Sequence, residues 1–241
     1  GKLTPISAQG RGASDGSAPM STANVHSYIL LYRTGSMSSI WDEALSSVNA
    51  YAGNVANTEG DIVPELTLAV FDAHDGLQFD VLRRSIPAKN WTDVTNNEAS
   101  PRGMTPLFDA VARIIAMAEA DTPEKAVIVI MTDGAENASR EVTKDGVKAA
   151  LDRVGTRGWE VVFLGAEFAN FSDADAVGIG AGKSMAMSVG HMTESMERLA
   201  RKTQAYYANA EMEVAFDEAD RAAAGEADVQ KRQGDSLFNR K

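Results

Sequence analysis

Apolar residues run together from Tyr28 to Leu31 and then give way to a loop of hydroxyl residues around Gly35. Beyond it Met37, Ile40, Trp41, Ala44, Leu45, Val48, Tyr51 and Val55 recur three or four apart. This succession predicts a buried parallel strand, a tight loop and an amphipathic helix. Glu65 to Phe71 alternates apolar with polar or small residues, Asp72–Gly76 carries turn chemistry, and Leu77 to Ile86 alternates again. The three together predict a hairpin with a loop of four or five residues. The polar, aperiodic stretch Asn90 to Arg102 is expected as a surface loop.

Gly103-Met-Thr-Pro-Leu107 then opens a helix, with Thr105 placed as N-cap and Pro106 at the first helical position. Its buried face is expected to be Leu107, Phe108, Val111, Ile114 and Ile115. Ala126 to Met131 is an unbroken apolar run, the pattern of a central strand covered on both sides. Val147, Ala150, Leu151 and Val154 predict a further helix closed by Gly155, and Trp159 to Leu164 another buried strand. Lys183 to Met187 reads as a short last strand. Met192, Met196, Leu199, Thr203 and Tyr206 mark a last helix. Strands alternating with helices predict an α/β, doubly wound, mostly parallel Rossmann-like sheet with helices on both faces and one antiparallel edge strand.

The alternation spans residues 25–210. Residues 1–24 are rich in Gly, Ser, Ala and Pro and are expected as a flexible arm, since they bury too little to offset ordering. Residues 211–241 are charged, without a steady apolar stripe, and are expected as a tail or a frayed helix. A net charge of −11 argues against non-specific nucleic-acid or anionic-membrane binding. With no cysteine, disulfides, thiolate metal sites and cysteine nucleophiles are excluded. No apolar run reaches the ~18 residues of a membrane span, and a cytoplasmic location is the expectation.

Open α/β sheets bind ligands beyond the carboxyl ends of their strands. Three loops fall there: Tyr32-Arg-Thr-Gly-Ser-Met37, Gly103-Met-Thr-Pro106 and Thr132-Asp-Gly-Ala-Glu136. They offer hydroxyls at Thr34, Ser36 and Thr105 and a carboxylate at Asp133, an all-oxygen set suited to a hard divalent cation, magnesium or manganese. In order, spacing and strand context the three motifs resemble the metal-ion-dependent adhesion site of the von Willebrand factor A family. That site is written Asp-x-Ser/Thr-x-Ser, then a distant Thr, then a distant Asp. The matching residues are Thr34, Ser36, Thr105 and Asp133. The resemblance implies a metal at the upper edge of the sheet and a binding role in which a partner's carboxylate completes the coordination.

Tyr32 stands where the family has its first aspartate. A phenol is neutral at pH 7, so the site loses a full negative charge and gains bulk. With Asp133 the one clear acid left, cation affinity is expected to fall sharply. Asp72, Asp109 and Glu136 are candidates to compensate.

Competing motifs carry less. Gly178-Ile-Gly-Ala-Gly-Lys-Ser184 lacks the first phosphate-loop glycine, having Val177 there, and leads into a strand rather than a long helix. His26, His74 and His191 show no ligand spacing, and no nucleophile elbow occurs. Met185, Met187, Met192 and Met196 are expected to fill core. The sequence therefore predicts a non-enzymatic protein-binding module with a degenerate metal site, its protein partner docking on the loop face. The alternative is an assembly subunit, self-associating as a homo-oligomer or decorating a larger complex through its arms.

Overall fold

Every residue of the first strand, β1 (Val25–Tyr32), is buried, as its unbroken apolar run requires. The computed structural model describes residues 24–134 and 136–238; residues 1–23 of the expected N-terminal arm lie outside them. After β1 come α1 (Trp41–Val55), β2 (Glu65–Ala73), β3 (Leu77–Pro87), α2 (Leu107–Asp121) and β4 (Lys125–Thr132). Then follow α3 (Lys144–Thr156), β5 (Glu160–Ala166), α4 (Ser172–Ala176), β6 (Ser184–Met187), α5 (Met192–Tyr207), α6 (Glu218–Ala224) and α7 (Glu226–Phe238).

The six strands form one sheet in the order β3-β2-β1-β4-β5-β6. All pairings are parallel except β2 with β3, so β3 is the antiparallel edge strand. The order steps outward in both directions from β1 and β4, which makes the sheet doubly wound and leaves a crevice above those two strands.

Side-chain parity on β1 shows how the faces are covered. Ser27 bonds the Tyr51 hydroxyl of α1 at 2.9 Å and the Tyr207 hydroxyl of α5 at 2.7 Å. Its neighbour Tyr28 donates to Asp121, the last residue of α2, at 2.6 Å. Successive strand residues face opposite ways, so α1 and α5 cover one face and α2 the other. Tyr32 has the parity of Tyr28, and its ring therefore leans toward the start of α2.

Three local expectations need correction. The hairpin loop is shorter than expected: Asp72 and Ala73 stay paired with Gln78 and Leu77, and residues 74–76 turn the chain with positive φ at Asp75 and Gly76. Helix α3 runs through Gly155 to Thr156, and the chain reverses at Gly158, whose φ is +72°. Phe108 and Leu151, expected in the core, are only partly buried.

The largest difference lies in residues 211–241, expected as a charged tail or frayed helix. There Asp217 and Asp220 form a reciprocal capping box that starts α6, each side chain accepting the other's backbone N–H at 2.9 Å. Val214, Ala224 and Val229 are wholly buried. The Glu226 carboxylate accepts the outward N–H of Ala186 at 2.8 Å, and Ala224 O accepts that of Ser188 at 2.8 Å. These helices therefore cover the edge of β6, where unpaired N–H groups would otherwise face solvent. With Phe216 also buried, these four apolar residues are too few and too unevenly spaced to show as a stripe.

The four methionines expected in the core, Met185, Met187, Met192 and Met196, are all buried. In Gly178–Ser184 the Lys183 ammonium is spent on Glu160 and the Val214 carbonyl, both at 2.6 Å. It is not held for a phosphate.

Candidate functional site

Thr34, Ser36 and Asp133 sit on loops leaving the carboxyl ends of the central strands β1 and β4, and Thr105 sits on the connection from β3 to α2. Beyond Tyr32 the chain turns through a 3-10 segment, Gly35–Met37, with Met37 buried as the anchor and Gly35 and Ser36 exposed. Thr34 is buried beneath them. Asp133 and Gly134 follow β4 directly and are part-exposed at the crevice. Thr105 is brought over by a short antiparallel bridge in which Ala73 and Met104 exchange backbone hydrogen bonds of 3.0 and 3.2 Å.

The sequence-selected residues converge. Thr34 Oγ1 lies 2.9 Å from Ser36 Oγ and donates to Asp133 Oδ1 over a long 3.5 Å. The Tyr32 hydroxyl hydrogen-bonds the Thr105 hydroxyl in a short contact. Both of those oxygens lie 3.7 Å from where a Cβ on Gly134 would stand, so β1, the α2 approach and the end of β4 meet at one point. The Tyr32 ring itself is buried against Phe71, centroid to centroid 5.4 Å.

The electrostatics of the cluster follow from burial. Burial raises the Tyr32 phenol above its ordinary value, against the opposing hydrogen bonds from Thr105 and Thr34, so it stays neutral. Burial also raises the Asp133 carboxyl, while hydrogen bonds from Ser36 and Thr34 pull the other way. Among the described residues no Lys, Arg or His lies within ion-pair distance of Asp133. Arg33, next to Tyr32, turns away: its guanidinium donates to Ser100 O at 2.9 Å and to Asp80 at 3.1 Å.

Thr105 does not act as the expected N-cap. The cap position of α2 is Pro106, with no side-chain cap bond of its own. The helix start is capped from a distance instead: Glu136 accepts from Phe108 N at 2.8 Å and Ser139 Oγ from Asp109 N at 3.0 Å. This frees the Thr105 hydroxyl for Tyr32.

The carboxylates that might have supplied charge are committed elsewhere. Glu136 also accepts from Ala138 N at 3.2 Å and Ser139 N at 2.6 Å. Asp109 accepts three backbone N–H groups, from Arg140, Glu141 and Val142, at 2.8 to 3.2 Å. Asn137 ties the same loop to Thr105, its Oδ1 accepting from Thr105 N at 2.8 Å. Asp72 is fully buried with one oxygen on Arg102 Nε at 3.1 Å and the other unpartnered. Sequence reasoning missed Asn137 and Ser139, because the helix they serve lies about thirty residues upstream and leaves no local signal. No group of three or more His, Asp or Glu that could hold a metal occurs among the described residues. No described helix is long and apolar enough to cross a membrane.

Known structures share this architecture. The pilus adhesin SpaC of Lactobacillus rhamnosus GG superposes with a TM-score of 0.61 at 13% identity, over 77% of this chain and 30% of that one. The fold is von Willebrand factor A-like. Proximal thread matrix protein 1 of the mussel byssus, in a form with a zinc-occupied MIDAS motif, gives 0.51 at 11% identity, over 76% of this chain and 48% of that one. A D319A mutant of the PilB minor pilin of Streptococcus sanguinis gives 0.50 at 12% identity, over 80% and 64%. This chain thus spans about a third of SpaC and half of the byssus protein, and at such identities the likeness is one of fold. No family model matches the sequence, and no curated protein matches it.

Proposed function

We propose that the chain is a non-enzymatic protein-binding module that docks its partner on the loop face formed by Thr34, Ser36, Thr105 and Asp133, with a degenerate divalent-metal site. The observation that carries this is the convergence itself. Hydroxyls from two loops and one carboxylate from a third meet at the rim of the sheet, where this fold places a binding site. Likeness to an adhesin and a thread matrix protein supports the binding role.

The donor set does not fit a resident magnesium or manganese ion. Hard-cation affinity tracks ligand charge, and among the described residues the rim loops offer one carboxylate not already committed to backbone N–H groups or an arginine. The Thr105 hydroxyl is already bonded to Tyr32, and the ring fills the place of a small acidic side chain. Asp109 and Glu136 cannot be released without unfastening the loop they hold.

A photo-crosslinker placed at exposed Ser36 should yield one discrete protein adduct, and one at exposed Met212, beyond the far end of α5, should not. Thr105→Ala with Asp133→Ala should weaken that partner's binding at least tenfold. Unchanged binding by the double variant would remove the loop face as the contact surface.

A further inference from the structure

The rim poses a charge problem that its own chain leaves open. Asp133 stands at the end of the central strand with hydrogen bonds from the Ser36 and Thr34 hydroxyls and its own backbone, the Thr34 contact being a long one at 3.5 Å. A divalent ion would ordinarily balance such a group, but the phenol of Tyr32 and the missing second carboxylate leave no fitting cage. Arg33, next to Tyr32 in the chain, is held by Asp80 and Ser100. The neighbouring carboxylates are balanced: Asp72 and Asp80 by arginines, Asp109 and Glu136 by backbone N–H groups. Asp133 alone among them presents an uncompensated charge, and it does so at a part-exposed position.

We propose that Tyr32 does the tying that an ion would do, bridging β1 to Thr105, and that the rim thereby selects a basic side chain of the protein partner. The inference rests on the loop face being the docking surface. A lysine ammonium is compact and carries three donors. Asp133 supplies the counter-charge, and the exposed Ser36 hydroxyl, braced on the buried Thr34 Oγ1 at 2.9 Å, supplies a further acceptor beside it. A net charge of −11 on the whole chain steers a basic partner toward it. The carboxylate–metal–carboxylate logic is thus replaced by a direct ion pair of opposite polarity.

The test is selection of a random peptide library displayed on phage against the whole chain, once in EDTA and once in manganese chloride. Selected peptides are then re-measured against Asp133→Asn and Thr34→Ala. The expected result is a lysine or arginine at one fixed position, enriched equally in both buffers. Binding should fall about tenfold or more on Asp133→Asn, the scale of losing one charged hydrogen bond. Peptides fixed on aspartate or glutamate and dependent on manganese would overturn the inference while leaving the loop face as docking surface. Peptides insensitive to both substitutions, or no enrichment, would overturn it and the docking surface together. Asp133→Asn removes a carboxyl that burial disfavours, so an unshifted or raised melting temperature certifies that the variant is folded.

Discussion

At the scale of single residues the decisive contact is Tyr32 with Thr105. Each hydroxyl is buried and each is satisfied by the other. Tyr32→Phe keeps the ring but leaves the Thr105 hydroxyl unpaired, a loss of about 1–3 kcal/mol. For a chain of this size that lowers the melting temperature by roughly 2–10 °C, readable by circular dichroism. His26 makes a second residue-level prediction. It is buried on Thr67 Oγ1 at 2.7 Å and stacked on Tyr28, and burial lowers its pKa from 6.5 to about 4. The unfolded chain takes up a proton there below pH 6.5 while the folded chain resists until about 4. Stability from this group is therefore present above 6.5 and lost as pH falls across that window, by at most about 3 kcal/mol. Melting temperatures from pH 7 to 5 should decline, and His26→Gln should flatten the decline.

Between elements, the loop after β4 is fastened by groups that a family motif would nominate as spare ligands. Glu136 bonds three backbone N–H groups, one of them at the start of α2. Removing it as Glu136→Ala should cost about 1–2 kcal/mol, the range of a lost helix cap. Amide hydrogen exchange should rise at Phe108 and Ser139 and stay unchanged in β5. Gly103 is fixed in the same region: its φ is +74° and a Cβ would stand 2.7 Å from Ala73 O and closer still to Asp72. Gly103→Ala should displace the Thr105 loop and lower stability.

The strands, their order of appearance and the three rim loops were legible because runs such as Ala126–Met131 and the three-four spacing after Gly35 have one physical solution each. Thr34, Ser36, Thr105 and Asp133 could be picked out only together, because their order and spacing on three loops resemble the von Willebrand factor A motif, while each alone has common bland uses in loops and helix caps. The roles of Asp109, Glu136 and Ser139 were not legible: a carboxylate reads the same whether it faces a cation or a helix N-terminus thirty residues away. Thr105 followed by Pro106 has a perfect cap signature, yet tertiary contacts with Tyr32 and Asn137 override it.

For the whole molecule, the packed C-terminal helices change what the rim rests on. Glu226 and Ala224 complete the hydrogen bonding of the β6 edge, and Val214 and Val229 are buried. A chain ending at residue 210 should expose that edge and associate, with size-exclusion chromatography showing species above monomer mass; the full chain should not show the same increase. The fold, its β6 edge covered, holds the three loops in register, with the Tyr32 phenol bonded to Thr105 among them.

The Thr34, Ser36, Thr105 and Asp133 side chains gather at the rim of the sheet, with the Tyr32 hydroxyl on Thr105. Calorimetric titration of manganese into the whole chain and into Tyr32→Asp tests whether that phenol keeps a cation out. No binding heat is expected for the chain as it stands, and saturable one-to-one binding is expected for the variant. Saturable binding by the unaltered chain, with Tyr32 in place, would contradict this.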